Sequence, residues 1–326
     1  MRDGRNREIE YIRISITDRC NLRCVYCMPK EGVPCIEHQE ILTYEEIERL
    51  CRIFVKLGIH KFKVTGGEPL VRKNCDVLID KLHKIEGVES ITMTTNGVLL
   101  PDYVESLVQA GLSAVNVSLD SMDAAAYEEI TGRNEWKNTI TGVEAALKYP
   151  SLQVKINCVP VRGANETELI KIAELARNHN IHVRFIEMMP IGLGKDFEFM
   201  GEEEVKELLE KDFGPFTLYS EILGNGPAHY YKVEGFQGKI GFISARTHKF
   251  CDTCNRIRLT SDGFLKTCLQ YNSGCDLKKL LRAGETDETI EKVIRETLLL
   301  KPDCHHFEEE IPVNNEEHKN MSSIGG

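Results

Sequence analysis

Between Tyr11 and about Met189, short runs that alternate polar with apolar residues recur, separated by longer stretches with helical spacing. Runs beginning near Tyr11, Lys61, Ser90, Ala114, Gln153 and His182 predict six strands. The stretches between them predict helices. Thr43 and Glu46 form a capping box for one helix over residues 43–57, and Asn165 with Glu168 opens another that ends near Asn178. Strand and helix alternating six times imply parallel strands joined by helical crossovers.

The alternation inside these strands carries more information than their number. Ile12, Ile14 and Ile16 share one face of the first strand, and Arg13 and Ser15 share the other. Lys63 and Thr65 oppose Phe62 and Val64; Thr92 and Thr94 oppose Ile91 and Met93. Asn116 and Ser118 oppose Val115 and Val117, Lys155 and Asn157 oppose Val154 and Ile156, and Arg184 opposes Val183 and Phe185. Parallel strands buried on both faces read instead as near-continuous apolar runs. A sheet with one apolar and one polar face, curled on itself, encloses a polar lumen fit for a ligand, where a filled barrel core would carry bulky branched residues.

After Met189 the pattern changes. Pro190–Gly194 reads as a connection, a short helix follows near 202–212, and short strands with Gly and Pro turns occupy roughly 216–269. Helices near Leu277 and over 286–299 precede a polar tail that ends Ile324-Gly325-Gly326. The expected organisation is a parallel barrel over 1–200 and an α+β extension over 201–326, the two able to share one site.

Composition narrows the class. The 326 residues include 41% hydrophobic and 28% charged side chains, ordinary for a soluble globular chain. No run approaches a membrane span and the first residues lack the apolar stretch of a signal peptide, so the expected address is the cytoplasm. A net charge of −10 argues against nucleic acid as partner, yet a local basic pocket can still hold a small anion.

Twelve cysteines in a reducing compartment favour metal or catalytic use over disulfides. Six form two triads: Cys20, Cys24 and Cys27 as C-x3-C-x2-C, and Cys251, Cys254 and Cys268 as C-x2-C-x13-C. Each supplies three thiolates, which leaves one iron of a cubane cluster free for an outside ligand. A zinc knuckle short of its fourth ligand is the plainer alternative. Most of the other six (Cys35, Cys51, Cys75, Cys158, Cys275, Cys304) read as buried small hydrophobes. His248, His305 and His306 read as surface or supporting groups, since the cysteines already account for two metal centres. Arg256 and Arg258 share a strand face, with Ile257 and Leu259 opposite, and two adjacent guanidiniums suit a phosphate or a purine.

The first triad, with Tyr26 before its last cysteine, and Thr65-Gly-Gly-Glu-Pro69 after the next strand resemble the radical S-adenosylmethionine (SAM) superfamily. The two glycines let a ligand approach the backbone, where an N–H can donate to a carboxylate. Adding the second triad, Cys254-Asn-Arg-Ile-Arg258, Thr94-Thr-Asn-Gly97 and the terminal Gly-Gly, nearly the whole chain from Tyr11 resembles the GTP 3′,8-cyclase family. The resemblance implies an incomplete (β/α)6 parallel barrel whose mouth is closed by the C-terminal extension, and two [4Fe-4S] clusters. One cluster would bind and cleave SAM to a deoxyadenosyl radical, and the other would bind the guanine of GTP. By matching position, Arg13, Lys63, Thr94, Lys155, Arg256, Ile257 and Arg258 would contact GTP, and Tyr26, Gly67, Ser118 and Met189 would contact SAM.

Lys63 departs from the arginine common at its position, and keeps the charge but not a bidentate contact. The terminal Gly-Gly would reach into the active site. A low-potential electron donor, a downstream pyranopterin-forming enzyme and a monomeric or homodimeric state complete the implied setting. Two rivals stand on residues alone: a radical SAM peptide-modifying enzyme, and a two-site zinc protein.

Overall fold

The computed structural model describes residues 1–309, 317 and 319–325. Six strands begin at the residues expected: β1 (Tyr11–Ser15), β2 (Lys61–Thr65), β3 (Ser90–Thr95), β4 (Ala114–Ser118), β5 (Gln153–Cys158) and β6 (His182–Ile186). Between them run α1 (Tyr44–Lys56), α2 (Cys75–His83), α3 (Leu100–Gln109), α4 (Ala124–Thr131), α5 (Trp136–Leu147) and α6 (Leu169–Asn178). All five neighbouring pairs are parallel.

Helix α1 starts as its sequence dictates. The Thr43 hydroxyl accepts the Glu46 N–H at 3.1 Å, and the Glu46 carboxylate accepts the Thr43 N–H at 2.8 Å. The start of α6 differs from expectation. Asn165 turns back to bind the Val161 N–H and the Asp120 and Val159 carbonyls, and buried Glu168 takes the Met122 N–H. Asn165 ties the loops after β4 and β5 together and Glu168 braces the loop after β4, instead of capping the helix.

The apolar strand faces pack outward against the helices. Ile12, Ile14 and Ile16 are fully buried there with Phe54 and Leu50 of α1, and truncating any one of the isoleucines to alanine costs about 2–5 kcal/mol.

The C-terminal part continues the sheet of the first. It comprises α7 (Glu202–Phe213), β7 (Thr217–Tyr219), β8 (His229–Lys232), β9 (Ile240–Ile243), β10 (Arg256–Leu259), β11 (Phe264–Lys266), β12 (Gly274–Asp276), α8 (Leu277–Arg282), α9 (Asp287–Leu299) and α10 (Met321–Ile324). Strand β9 adds in parallel to β6, and β10 adds in parallel to β1. The result is one twelve-stranded sheet in the order β12-β11-β10-β1-β2-β3-β4-β5-β6-β9-β8-β7. The parallel run therefore has eight strands, and it passes residue 200 without a break in the ladder. Ile243 of β9 and Arg256 of β10 line the same cavity, so the sheet curls far enough to bring its two sides together. Among the described residues β9 and β10 are not paired with each other, and the curl stays open.

Three of the six scattered cysteines, Cys51, Cys75 and Cys158, are buried as read. Cys275 and Cys304 are half-buried and Cys35 is exposed, because all three lie outside the helix-facing core.

Candidate active site

The polar strand faces meet in a lumen cavity of about 260 Å³. Arg13, Lys63, Lys155, Arg184 and Arg256 line it, and among the described residues no acidic side chain does. Strand register explains the concentration of charge: Arg258, Arg13 and Lys63 lie side by side on β10, β1 and β2. Like charges directly opposite on neighbouring strands repel. Lys63, Lys155 and Arg184 are only 8%, 3% and 6% exposed. Burial first, then the surrounding Arg184, Arg13, Lys155 and Arg256, pushes Lys63 well below the usual lysine range. Burial and Arg184 bring Lys155 down to about 7. Arg184 donates to Asn116 Oδ1 at 2.7 Å and to Asn157 Oδ1 at 2.5 Å, while its Nε and Asn116 Nδ2 find no partner. So many buried cations with unsatisfied donors suit a polyanion.

A loop from the β7–β8 connection closes one side. The Leu223 carbonyl accepts from Lys155 Nζ at 2.9 Å, and Asn225 donates to Ser90 at 2.8 Å. Gly224 has φ +97°, and a Cβ there would stand 2.7 Å from Lys155 Nζ, so this glycine makes room for the lysine.

The first triad occupies the loop after β1. That loop is pinned from two sides: Arg23 and Val25 donate to the Thr131 and Ile130 carbonyls of α4, and Gly67 and Glu68 donate to the Thr17 and Arg19 carbonyls. The Gly67 N–H is thus spent within the protein, contrary to the expectation that it is open to a ligand. A Cβ on Gly67 would lie 2.4 Å from the Arg19 carbonyl, so the glycine is needed for the two loops to touch. Tyr26 donates its hydroxyl to Asp120. Burial, with Glu68 nearby, raises Cys20 to about 11; burial and Cys20 raise Cys27 to about 12. Cys24 rises well above the usual thiol range for the same reasons, with Cys27 and Asp120 adding repulsion.

The second triad lies in an opposite setting. Cys251, Cys254 and Cys268 line a smaller cavity of about 80 Å³ with Met189, Ala245, Phe250, Arg256, Arg258, Leu269, Lys301, His305 and Phe307. Burial opposes ionisation of Cys254, but Lys301 and Arg256 outweigh it and bring the thiol down to about 7. Arg7 holds this loop from the N-terminal segment, donating to the Cys251 carbonyl at 3.0 Å and to the Asp303 carbonyl at 2.7 Å.

All twelve thiols are free. Among the described residues no three His, Cys, Asp or Glu side chains converge as one metal ion requires, and a mononuclear zinc site needs that convergence. Thiolates that each hold a different iron of one cluster do not. Each triad gathers three free thiols that influence one another electrostatically, the donor set that a three-cysteine cluster would use.

The expected contacts divide. Arg13, Lys63, Lys155 and Arg256 meet in the lumen. Arg258 joins them through the strand register, and its Nη1 donates to the Gly325 carbonyl at 2.5 Å. Thr94 and Ser118 share the polar face but lie farther along their strands, outside the lumen lining. The Ile257 side chain points into the core, which leaves its main chain as the part at the cavity. Met189 lines the second-triad cavity. The tail reaches the polar strand face beside the lumen: a Cβ on Gly325 would meet Ser15 at 2.9 Å and Thr65 Oγ1 at 3.2 Å. Gly326 lies outside the described residues. Arg184 was visible in the alternation but was not assigned a contact. Lys301 and Arg7 were missed; of the histidines read as surface or supporting groups, His305 is buried at the second-triad cavity.

Family comparisons agree with this architecture. Residues 14–176 match the radical SAM superfamily, and residues 181–307 match Molybdenum Cofactor Synthesis C. A GTP 3′,8-cyclase of Petrotoga mobilis is 45% identical over 332 residues, and one of Pelotomaculum thermopropionicum is 43% identical over 329, each covering 100% of both chains. The structure is similar in fold to Streptococcus suis SuiB, solved bound to S-adenosylmethionine (TM-score 0.61, 14% identity, 88% of this chain and 68% of that one).

Proposed function

This chain belongs to the GTP 3′,8-cyclase family of radical SAM enzymes, and from that membership we propose that it converts GTP to (8S)-3′,8-cyclo-7,8-dihydro-GTP, the first step of molybdenum cofactor synthesis. The observation that carries the substrate is the lumen: five cations, no acid among the described residues, three of the cations almost fully buried. A triphosphate supplies the charge those side chains lack. Arg13, Lys63, Lys155, Arg184 and Arg256 hold the phosphates in this reading. Arg258 positions the tail through the Gly325 carbonyl.

The barrel part, 1–200, would carry one [4Fe-4S] cluster on Cys20, Cys24 and Cys27, and 201–326 a second on Cys251, Cys254 and Cys268. With SAM bound, the first would supply a carbon radical able to take the ribose 3′ hydrogen. Tyr26, Ser118 and Met189 orient SAM. Gly67 acts by setting the loop that carries the triad, since its amide is already used. The cationic second triad draws the guanine end of GTP, so the nucleotide spans the two centres. The extension's loop, tail and cysteines close the lumen and exclude water. A low-potential donor, a pyranopterin-forming acceptor of the product, a cytoplasmic address and a monomer or homodimer belong to the same proposal.

The test is anaerobic. Protein reconstituted with iron and sulfide is given GTP, SAM and dithionite, and the products are weighed by mass spectrometry. A species isobaric with GTP, formed together with 5′-deoxyadenosine, is the expected result. Deoxyadenosine with no GTP-derived product overturns the substrate and brings the peptide-modifying alternative forward.

A further inference from the structure

One buried polar side chain has no part in the arrangement above. His305 is 6% exposed and lines the cavity of the second triad. Its ring stacks on Phe307 with centroids 4.0 Å apart, and its main-chain N–H supports the Cys251 thiol. Neither ring nitrogen makes a well-formed hydrogen bond. The Ala245 main chain offers the ring one weak hydrogen bond. Buried donors and acceptors are almost always satisfied, so a ring nitrogen left open in a cavity wall points to a missing partner.

The surroundings say what kind of partner. Phe250, Phe307, Met189, Ala245 and Leu269 form the apolar part of the wall, and they suit a flat heteroaromatic ring better than a phosphate. One nitrogen of a neutral imidazole can meet a single donor or acceptor on a purine edge.

We propose that His305 reads the edge of the guanine base lodged against the second triad, making it a specificity-determining contact for the nucleotide. The proposal rests on the GTP reading and assigns a residue that the sequence comparison left out. It divides recognition of the nucleotide in two: the lumen cations take the charge, and His305 takes the base.

Equilibrium binding of GTP and of inorganic tripolyphosphate to the anaerobically reconstituted full chain tests it, with iron content measured on every sample. His305→Ala should weaken GTP binding about 10- to 100-fold, with tripolyphosphate binding and iron content unchanged. His305→Gln, which can restore a donor or acceptor, should recover part of the loss. GTP affinity within about twofold of the parent overturns the assignment, that being less than one hydrogen bond's contribution. A parallel loss of iron, or an equal loss of tripolyphosphate binding, overturns it too. If the parent protein itself, loaded with iron, fails to bind GTP, the GTP reading falls along with it.

Discussion

The two cysteine triads hold the same donor atoms in opposite electrostatic settings. Around Cys20, Cys24 and Cys27 stand Glu68, raised by burial to about 7, and Asp120, raised by burial to about 6, with Arg23 near Cys20 the one cation acting on the thiols. Beside Cys254 stand Lys301 and Arg256. All three thiols of the first triad are raised; in the second, Cys254 alone is lowered, while burial and its neighbouring thiols raise Cys251. If the first centre binds SAM as proposed, its cationic sulfonium gains from Glu68 and Asp120, and a nucleotide drawn to the second gains from Lys301 and Arg256.

The largest test of this contrast exchanges one ligand at each end. Cys24→Ser should abolish deoxyadenosine formation altogether. Cys254→Ser should still form deoxyadenosine while giving no cyclised GTP, and product analysis of both variants separates the two roles. Equal loss of deoxyadenosine in both would show that the ends do not work apart.

The tail touches both settings, because Ser322 supports the Cys27 thiol and Gly325 receives Arg258. Deleting Gly325 and Gly326 should therefore lower turnover and leave iron content intact. Unchanged turnover would sever the tail from the chemistry.

A smaller effect lies in pH. Lys155 is lowered in the folded chain to about 7, below an unfolded lysine. Unfolding then takes up a proton above pH 7, and the substrate-free protein gains stability as pH rises from about 7 toward the ordinary lysine value. A bound triphosphate favours the charged form, so GTP binding should take up a proton in that window and weaken by at most about tenfold per pH unit above 7. Calorimetry in buffers of differing ionisation enthalpy reads the proton directly, and a pH-independent affinity would remove Lys155 from the site. The smallest expected effect is at Lys63, where Lys63→Arg should leave turnover within a few-fold of the parent; a collapse would mean that the pocket is built around the smaller ammonium.

Much of this was legible because it obeys local periodicity. Period-two alternation fixes which side chains of β1 to β6 face the lumen, so Arg13, Lys63, Lys155 and Arg184 could be placed on one wall before any contact was known. Cysteine spacing is equally local. What could not be read depends on long-range pairing. Nothing in Ile240–Ile243 or Arg256–Leu259 says that one joins β6 and the other β1, so the eight-stranded parallel run was missed. Lys301 and His305 reach the second triad from beyond α9, and Arg7 reaches it from the other terminus. Gly67 misled for a different reason: a glycine wanted for a ligand and one wanted for a crowded backbone look alike in sequence.

That long-range pairing has a consequence during synthesis. Tyr11 is made long before the strand that covers its outer edge, which begins only at Arg256. Strand β6 likewise waits for Ile240. Throughout most of translation the nascent chain carries two uncovered parallel edges, the kind of surface on which chains stick to one another. Cys251 and Cys254 are made just before the strand that seals the first edge, and Cys268 soon after it. Sealing the sheet and completing the second set of thiols thus fall in the same late interval, so a ribosome-bound chain arrested before that point is both aggregation-prone and unable to assemble its second centre.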